Sequence, residues 1–448
     1  MSKSTHKELI QKHVWPNGFR CVYEKSMNPS SQITYIQLFC DMGSAYEIDG
    51  IRGASHMIEH MCFKGTNTIP NKTELMLHFD RNGVYFNAMT EKRYTSYILK
   101  CPDEHVESCL RILATMILDS NFNRKEFKKE ERVVIQENII RTDNPFIFTK
   151  SIIDSTLYEG SSYMYEIDTL RYHTKPFNYD EIVNLYHMFY HPSRMLISVV
   201  TNRSFTNIRQ ILKNTRFVSN IPVHPIPQKF SINHHIKPYN ELRIKLEHKP
   251  NMNSIHLCVV FNTKTIDKYV LNILSDIISN SFTSKLDVLL RDKHGLTYMS
   301  NVLVNYTEIH GIFCICVMTD SKTILQNQKK IKPGVFPVII HFLHDIYKNG
   351  ITSAELRLQK GRMKGNLAIQ HENPENITQY NGYQSLVFPD RELTPSTKFY
   401  ETHYQHIRKA DVDSAIRTYF TRSNMTVCMV GNGLPTERKI TEICEYIS

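Results

Sequence analysis

Residues 50–66 read GIRGASHMIEHMCFKGT, and the run His56-Met57-Ile58-Glu59-His60 inside them decides how the rest of the chain is read. On a helix, residues four apart lie one turn apart on the same face, so both imidazoles reach a single cation. Glu59 then stands beside them, toward the open coordination position. This is the HExxH arrangement of zinc hydrolases written backwards, HxxEH. His56 and His60 are therefore candidate metal ligands and Glu59 a candidate general base. Taken alone, the same five residues also fit a solvated helix carrying two incidental histidines, because a pattern this short arises by chance.

Outward from that stretch, the chain reads as two copies of one design. The strings MFYHPSRMLISVVTN, from Met188, and TYFTRSNMTVCMVGN, from Thr418, share a pattern of helix end, turn, Met, apolar strand and Asn. Met195 pairs with Met425 and Asn202 with Asn432 at the same offset of 230. Such regularity marks a duplicated domain. Between the copies, residues 217–240 hold Pro222, Pro225, Pro227 and Pro238 and read as an extended linker. The expected division is thus 1–216, a linker at 217–240, and 241–448.

In the first half, residues 33–41 and 94–101 have strand patterning and 104–119 and 124–141 helical spacing. In the second, 254–262 and 311–318 read as strands and 337–348 and 353–369 as helices. The fold class expected is α+β: two homologous sandwich domains, each a mostly antiparallel sheet covered by helices, facing each other around a cleft.

A chain of 448 residues with 41% hydrophobic residues suits two domains. The net charge of +10 is spread among acids with no basic block or aromatic-interleaved basic stripe, which argues against nucleic acid as a partner. No apolar run approaches the roughly 18 residues of a membrane span, and the first residues lack a signal-peptide core. The chain reads as intracellular and cytoplasmic, with a mitochondrial address the alternative. Of ten cysteines, Cys21, Cys40, Cys101, Cys258, Cys314, Cys316 and Cys428 sit inside apolar runs and read as buried thiols in a reducing compartment. Cys314-Ile315-Cys316 places two thiols on one face of a strand, where core packing is favoured over metal chelation.

The motifs together resemble the pitrilysin/insulinase family of zinc metallopeptidases, the inverzincins, and in length its mitochondrial-processing-peptidase-like branch. The resemblance runs from Asn17-Gly18-Phe19-Arg20 through Gly43-Ser44, the HxxEH stretch with Phe63-Lys64-Gly65-Thr66, and Asn87-Ala88-Met89-Thr90, and on into the second half. It implies a third ligand 77 positions after the second histidine, and Glu137 occupies that position. Phe127, Glu130, Val134, Glu137 and Arg141 form one helical stripe there, and carboxylates in a partly apolar stripe call for a partner. Glu130 matches a family acid that orients the site.

The resemblance further implies that Asn87 and Ala88 lie on an edge strand to which substrate adds, and that Arg291 and Tyr298 reach the substrate from the second half. Read without it, Asn87 is a turn or edge residue and Arg291 an ion-pair partner of Asp287 or Asp292. Opposite His56, Glu59 and His60 the second copy carries Lys285, Val288 and Leu289, so one Zn²⁺ per chain is expected. The family's usual glycines and His-Pro pair are replaced by Ile278-Ser279-Asn280-Ser281 and Gly160-Ser161-Ser162-Tyr163, which leaves subsite preference open. The implied activity is endopeptidase cleavage of peptides or unfolded segments in an enclosed chamber, by a homodimer or a heterodimer with a related subunit. The alternative is a non-catalytic core or assembly subunit, a role that usually goes with lost ligands, and here all are present.

Overall fold

The computed structural model describes residues 9–167, 176–281, 283–297, 300–308, 310–327 and 332–447. The chain forms two compact units, one of residues 1–142, 160–235 and 368–397, the other of 143–159, 236–367 and 398–448. Runs of strands are followed by runs of helices and a closing strand in both sequence halves, as expected for α+β.

The first unit is built on a six-stranded sheet of β1 (Ile10–Val14), β2 (Arg20–Lys25), β3 (Ile33–Cys40), β4 (Tyr85–Thr90), β5 (Thr95–Pro102) and β6 (Met195–Thr201). Their order in space is β1-β2-β6-β3-β5-β4, and of the neighbouring pairs β2 with β6 is parallel and the rest antiparallel. β6, MLISVVT, is buried at every position because it is central and covered on both faces, so its sequence is a continuous apolar run. The first half also supplies α1 (Ala54–Cys62), α2 (Lys72–Asp80), α3 (Val106–Leu118), α4 (Arg124–Asp143), α5 (Pro145–Leu157), α6 (Tyr179–Phe189) and α7 (Phe205–Lys213). Ile36, Leu38 and Cys40 of β3 point to one face, where they share a core with Met57 and Ile58 of α1, Leu110 and Leu113 of α3 and Leu185 of α6.

The expected linker does not run free. Phe217 stacks on Phe19 at 4.8 Å between ring centroids, Phe230 is buried, and Asn17 Nδ2 donates to the Phe217 and Ser219 carbonyls at 2.8 and 3.0 Å. Two aromatic anchors thus tie the Pro-rich segment to the first unit's core.

The second unit repeats the design with β7 (Arg243–His248), β8 (Ile255–Thr263), β9 (Ser300–Tyr306), β10 (Gly311–Thr319), a short hairpin of β11 (Gln326–Asn327) and β12 (Lys332–Pro333), and β13 (Met425–Gly431). The order β7-β13-β8-β10-β9 matches β2-β6-β3-β5-β4 strand for strand, including the parallel pair, here β7 with β13. Its sequence half carries α8 (Lys268–Ile278), α9 (Lys285–Asp287) running into a widened turn at Val288–Lys293, α10 (Val335–Asn349), α11 (Ser353–Glu372), α12 (Pro374–Val387), α13 (Phe399–His403), α14 (Lys409–Tyr419) and α15 (Glu437–Cys444).

Each sheet is covered on its second face by a helix from the other sequence half. α12 lies on β2, β6 and β3, and α5 lies on β8 and β13. The two helices start 229 positions apart at Asn144-Pro145 and Asn373-Pro374, where each Asn side chain caps the first turn and Pro takes the first helical position. Gly382 lets α12 approach: a Cβ there would stand 2.0 Å from the Phe39 ring. The buried Glu24 carboxylate clamps the segment by accepting from Asn381 Nδ2 at 2.7 Å and from Ser396 N and Oγ at 3.0 and 2.6 Å. On the second sheet, the Phe146 ring meets His256 edge-on at 4.9 Å, and Thr156 O accepts from Tyr239 and Arg243 at 2.6 and 2.7 Å.

Candidate metal centre

α1 begins at Gly53, whose φ of +92 suits glycine, with no side-chain cap of its own. Glu47 serves instead: its Oε2 accepts from Gly53 N and its Oε1 from Ser55 N, both at 2.7 Å. The carboxylate thus meets the donors and positive dipole end of the helix. Burial nevertheless pushes its carboxyl up to about 7, against those two bonds.

Nearly the whole of α1 is inside the unit, His56 and Glu59 being 9% and 8% exposed. A solvated helix with incidental histidines is therefore not what the chain makes. Buried polar groups need partners, and each of these finds them. His56 Nε2 and His60 Nε2 stand 3.2 Å apart, and Glu137 Oε2 from α4 lies 3.6 Å from the first and 3.5 Å from the second. Donors at about 2.0–2.1 Å on tetrahedral corners are roughly 3.3 Å apart, so the triangle has the size a zinc ion requires. The donor set also fits: two imidazoles and one carboxylate leave one position open. Glu137, at 42% side-chain exposure, is the solvent-side donor of the three.

Behind the triangle, Glu130 Oε2 lies 3.0 Å from His60 Nδ1, while its Oε1 lies 2.5 Å from Lys64 Nζ. Burial raises the Glu130 carboxyl, but the bonds from His60 and Lys64 outweigh it and hold it below its ordinary value. A carboxylate at Nδ1 selects the tautomer with its proton there and leaves Nε2 a lone pair for metal. Glu131, one residue on, points elsewhere and accepts from Phe177 N at 2.7 Å. Glu59 Oε2 accepts from Thr90 Oγ1 at 2.6 Å, which fixes the carboxylate at the end of β4.

β4 is one of the two edge strands of its sheet and alternates exposed and half-covered residues from Tyr85 to Met89. Asn87 is exposed, and Ala88 N donates to Asn87 Oδ1 at 2.9 Å. In the second unit Arg291 lies on the widened turn after α9 with its Nε 2.9 Å from Asp292 Oδ1, one of the two ion-pair partners expected. Tyr298 lies outside the described residues. Lys285 pairs with Glu355 at 2.8 Å, and among the described residues no group of metal donors forms at Lys285, Val288 and Leu289.

Sequence reasoning assigned no role to Glu47, Lys64 or Thr90. Lys64 had a signal, its place one turn beyond His60, whereas Glu47 and Thr90 reach α1 only through the tertiary fold.

The profile described as insulinase, peptidase family M16, matches residues 22–158, and that of the peptidase M16 inactive domain matches residues 176–363. An uncharacterized zinc protease of Bacillus subtilis, YmxG, is 31% identical over 382 residues, 85% of this chain and 88% of its own. The beta subunit of mitochondrial-processing peptidase from Caenorhabditis elegans is 32% identical over 156 residues, 34% of this chain and 32% of that one. In fold, the crystal structure of a protease from Helicobacter pylori superposes with a TM-score of 0.81 over 94% of this chain and 99% of that one, at 21% identity. With the sequence likeness extending over most of both chains and the ligand triangle formed in the half that the peptidase profile matches, the chain belongs to the insulinase family, peptidase family M16.

Proposed function

We propose that the chain is a zinc metalloendopeptidase that holds one zinc ion on His56, His60 and Glu137. The observation that carries this reading is the convergence of those three donors beside a buried Glu59. Zinc in such a set supplies a Lewis acid for the scissile carbonyl and lowers the pKa of water. Glu59 takes the proton of the attacking water and passes it to the departing amine, and Thr90 holds its carboxylate in place for both transfers. Glu130 is a positioning residue acting through His60.

Substrate adds as a strand along β4, with Asn87 and Ala88 contacting its backbone. The free edge supports this, since an added strand would run toward Thr90 and hence toward Glu59. Arg291 and Tyr298 of the second half act on the same substrate, Arg291 holding its backbone and Tyr298 donating to the developing oxyanion. The working form is a homodimer or a heterodimer with a related subunit, in an intracellular compartment; similarity to a protein named as a subunit supports the pairing.

Glu59→Gln tests the reading. The variant keeps its zinc and loses turnover by about 10²–10⁴-fold on a quenched peptide. Full activity in that variant, with zinc still bound, sinks the assignment.

A further inference from the structure

In the second unit three thiols converge. Cys258 Sγ and Cys314 Sγ each lie 3.3 Å from Cys316 Sγ, and the three sulfurs fall within 4.8 Å of one another. Strand register explains why. Cys316 of β10 is the direct partner of Cys258 of β8, and Cys314, two residues back, projects from the same face. Cys428 of β13 is the partner of Cys258 on its other side, and Lys245 of β7 is the partner of Cys428. The row Lys245, Cys428, Cys258, Cys316 thus crosses four strands on one sheet face.

Two more soft or borderline donors stand on that face. Met318 follows Cys316 by two residues, and its register partner is His256. Cys258 and Cys314 are buried, whereas Cys316 is partly exposed and Met318 is 44% exposed, so the face has an entrance at its β10 side. Apolar packing accounts for a buried cysteine taken singly. It does not account for three sulfurs gathered on one another with a thioether at the mouth.

We propose that Cys258, Cys314 and Cys316 bind a cuprous ion, with Met318 at the entrance and its buried register partner His256 behind it. Sulfur donors select soft cations, and an all-sulfur set of three suits Cu(I), whereas structural zinc takes four ligands. Binding releases the thiol protons to solvent, and Lys245 at the end of the row offsets part of the thiolate charge. No oxidation or reduction of the protein is involved.

The test uses the full chain, reduced and without oxygen, titrated with Cu(I) against a coloured cuprous chelator. One equivalent binds, X-ray absorption at the copper edge shows a sulfur shell, and His56→Ala/His60→Ala leaves that equivalent in place. Cys316→Ser and Cys314→Ser weaken binding by more than the roughly 10–100-fold that loss of an outer-shell partner costs. A nitrogen or oxygen shell in the parent chain overturns the proposal without need of a variant. So does copper retained in Cys316→Ser, or preferential uptake of zinc by the three thiols. None of these measurements reads peptide hydrolysis, so failure here leaves the peptidase reading standing, and the reverse holds as well.

Discussion

The helix pair that carries the ligand triangle has a counterpart in the second unit with the same backbone plan and different side chains. α4 and α11 are each 20 residues long and start 229 positions apart, so Glu130 and Glu137 correspond to Gln359 and Asn366, and His56 to Lys285. In the second unit Gln359 Nε2 donates to Asp276 at 2.7 Å and Lys285 pairs with Glu355. Those groups satisfy one another, one through a hydrogen bond and one through an ion pair. In the first unit two ring nitrogens and a carboxylate oxygen point at one place, which only a cation or protons can reconcile. The helices supply the scaffold in both units; the side chains at these positions decide which one gathers a set of metal donors.

The strongest way to break this comparison is to make the first unit resemble the second. His56→Ala, His60→Ala or Glu137→Gln each lose bound zinc in metal analysis and reduce peptide hydrolysis to background, whereas Lys285→Ala changes neither. Stoichiometric zinc in Glu137→Gln would move the third ligand elsewhere.

Next in size are the residues proposed to act from the second unit. Tyr298→Phe lowers kcat by about 10²–10³-fold with zinc content unchanged, as loss of one preorganised donor does. Arg291→Ala impairs both kcat and KM. Equal activity of parent and both variants would leave the second unit with no part in the chemistry.

A smaller effect, on stability, tests the exchanged helices. Gly382→Ala forces a methyl into the Phe39 ring and costs about 1–3 kcal/mol in denaturant unfolding, the range for overpacking a core. Gly361→Ala on α11, where an added Cβ meets nothing within 4 Å, costs nothing comparable. The same exchange predicts that halves cut in residues 217–240 stay soluble only when made together, since each sheet takes its second cover from the other half.

The smallest effect is a pH slope. Folding lifts the Glu47 carboxyl from about 4.5 to about 7, so the native state keeps a proton that the unfolded chain releases. That contribution is full at low pH and is lost as pH rises through 7, so the metal-free chain melts at a falling temperature between about pH 5 and pH 7 from this group. Glu47→Gln flattens the slope, and an unchanged slope assigns it to other groups.

Much of the site was legible because its signal is local. Four-residue spacing on one helix places His56 and His60 on one face whatever else the chain does, and the offset between Met195 and Met425 reflects a duplication that the two sheets repeat. The third donor was legible through family likeness, with the partly apolar stripe that holds Glu130 and Glu137 but not Glu126 or Glu131 as its own signal in the helix. What separates them is direction: Glu137 lies within 3.6 Å of both histidines, Glu126 pairs with Lys129 and Glu131 turns to Phe177 N.

By itself the sequence determined the α+β class, the repeated order of elements, the HxxEH face and a Pro-rich divide, because periodicity and backbone restriction act over a few residues. Only the tertiary structure decided that α5 and α12 cover each other's sheets, that Phe217 and Phe230 pin the divide, that Thr90 and Glu47 serve α1, and that Cys258 joins Cys314 and Cys316. Those contacts join residues from 6 to more than 340 positions apart in the chain. Which of many such pairings forms depends on strand register and on the fit of whole faces, and no local pattern encodes that.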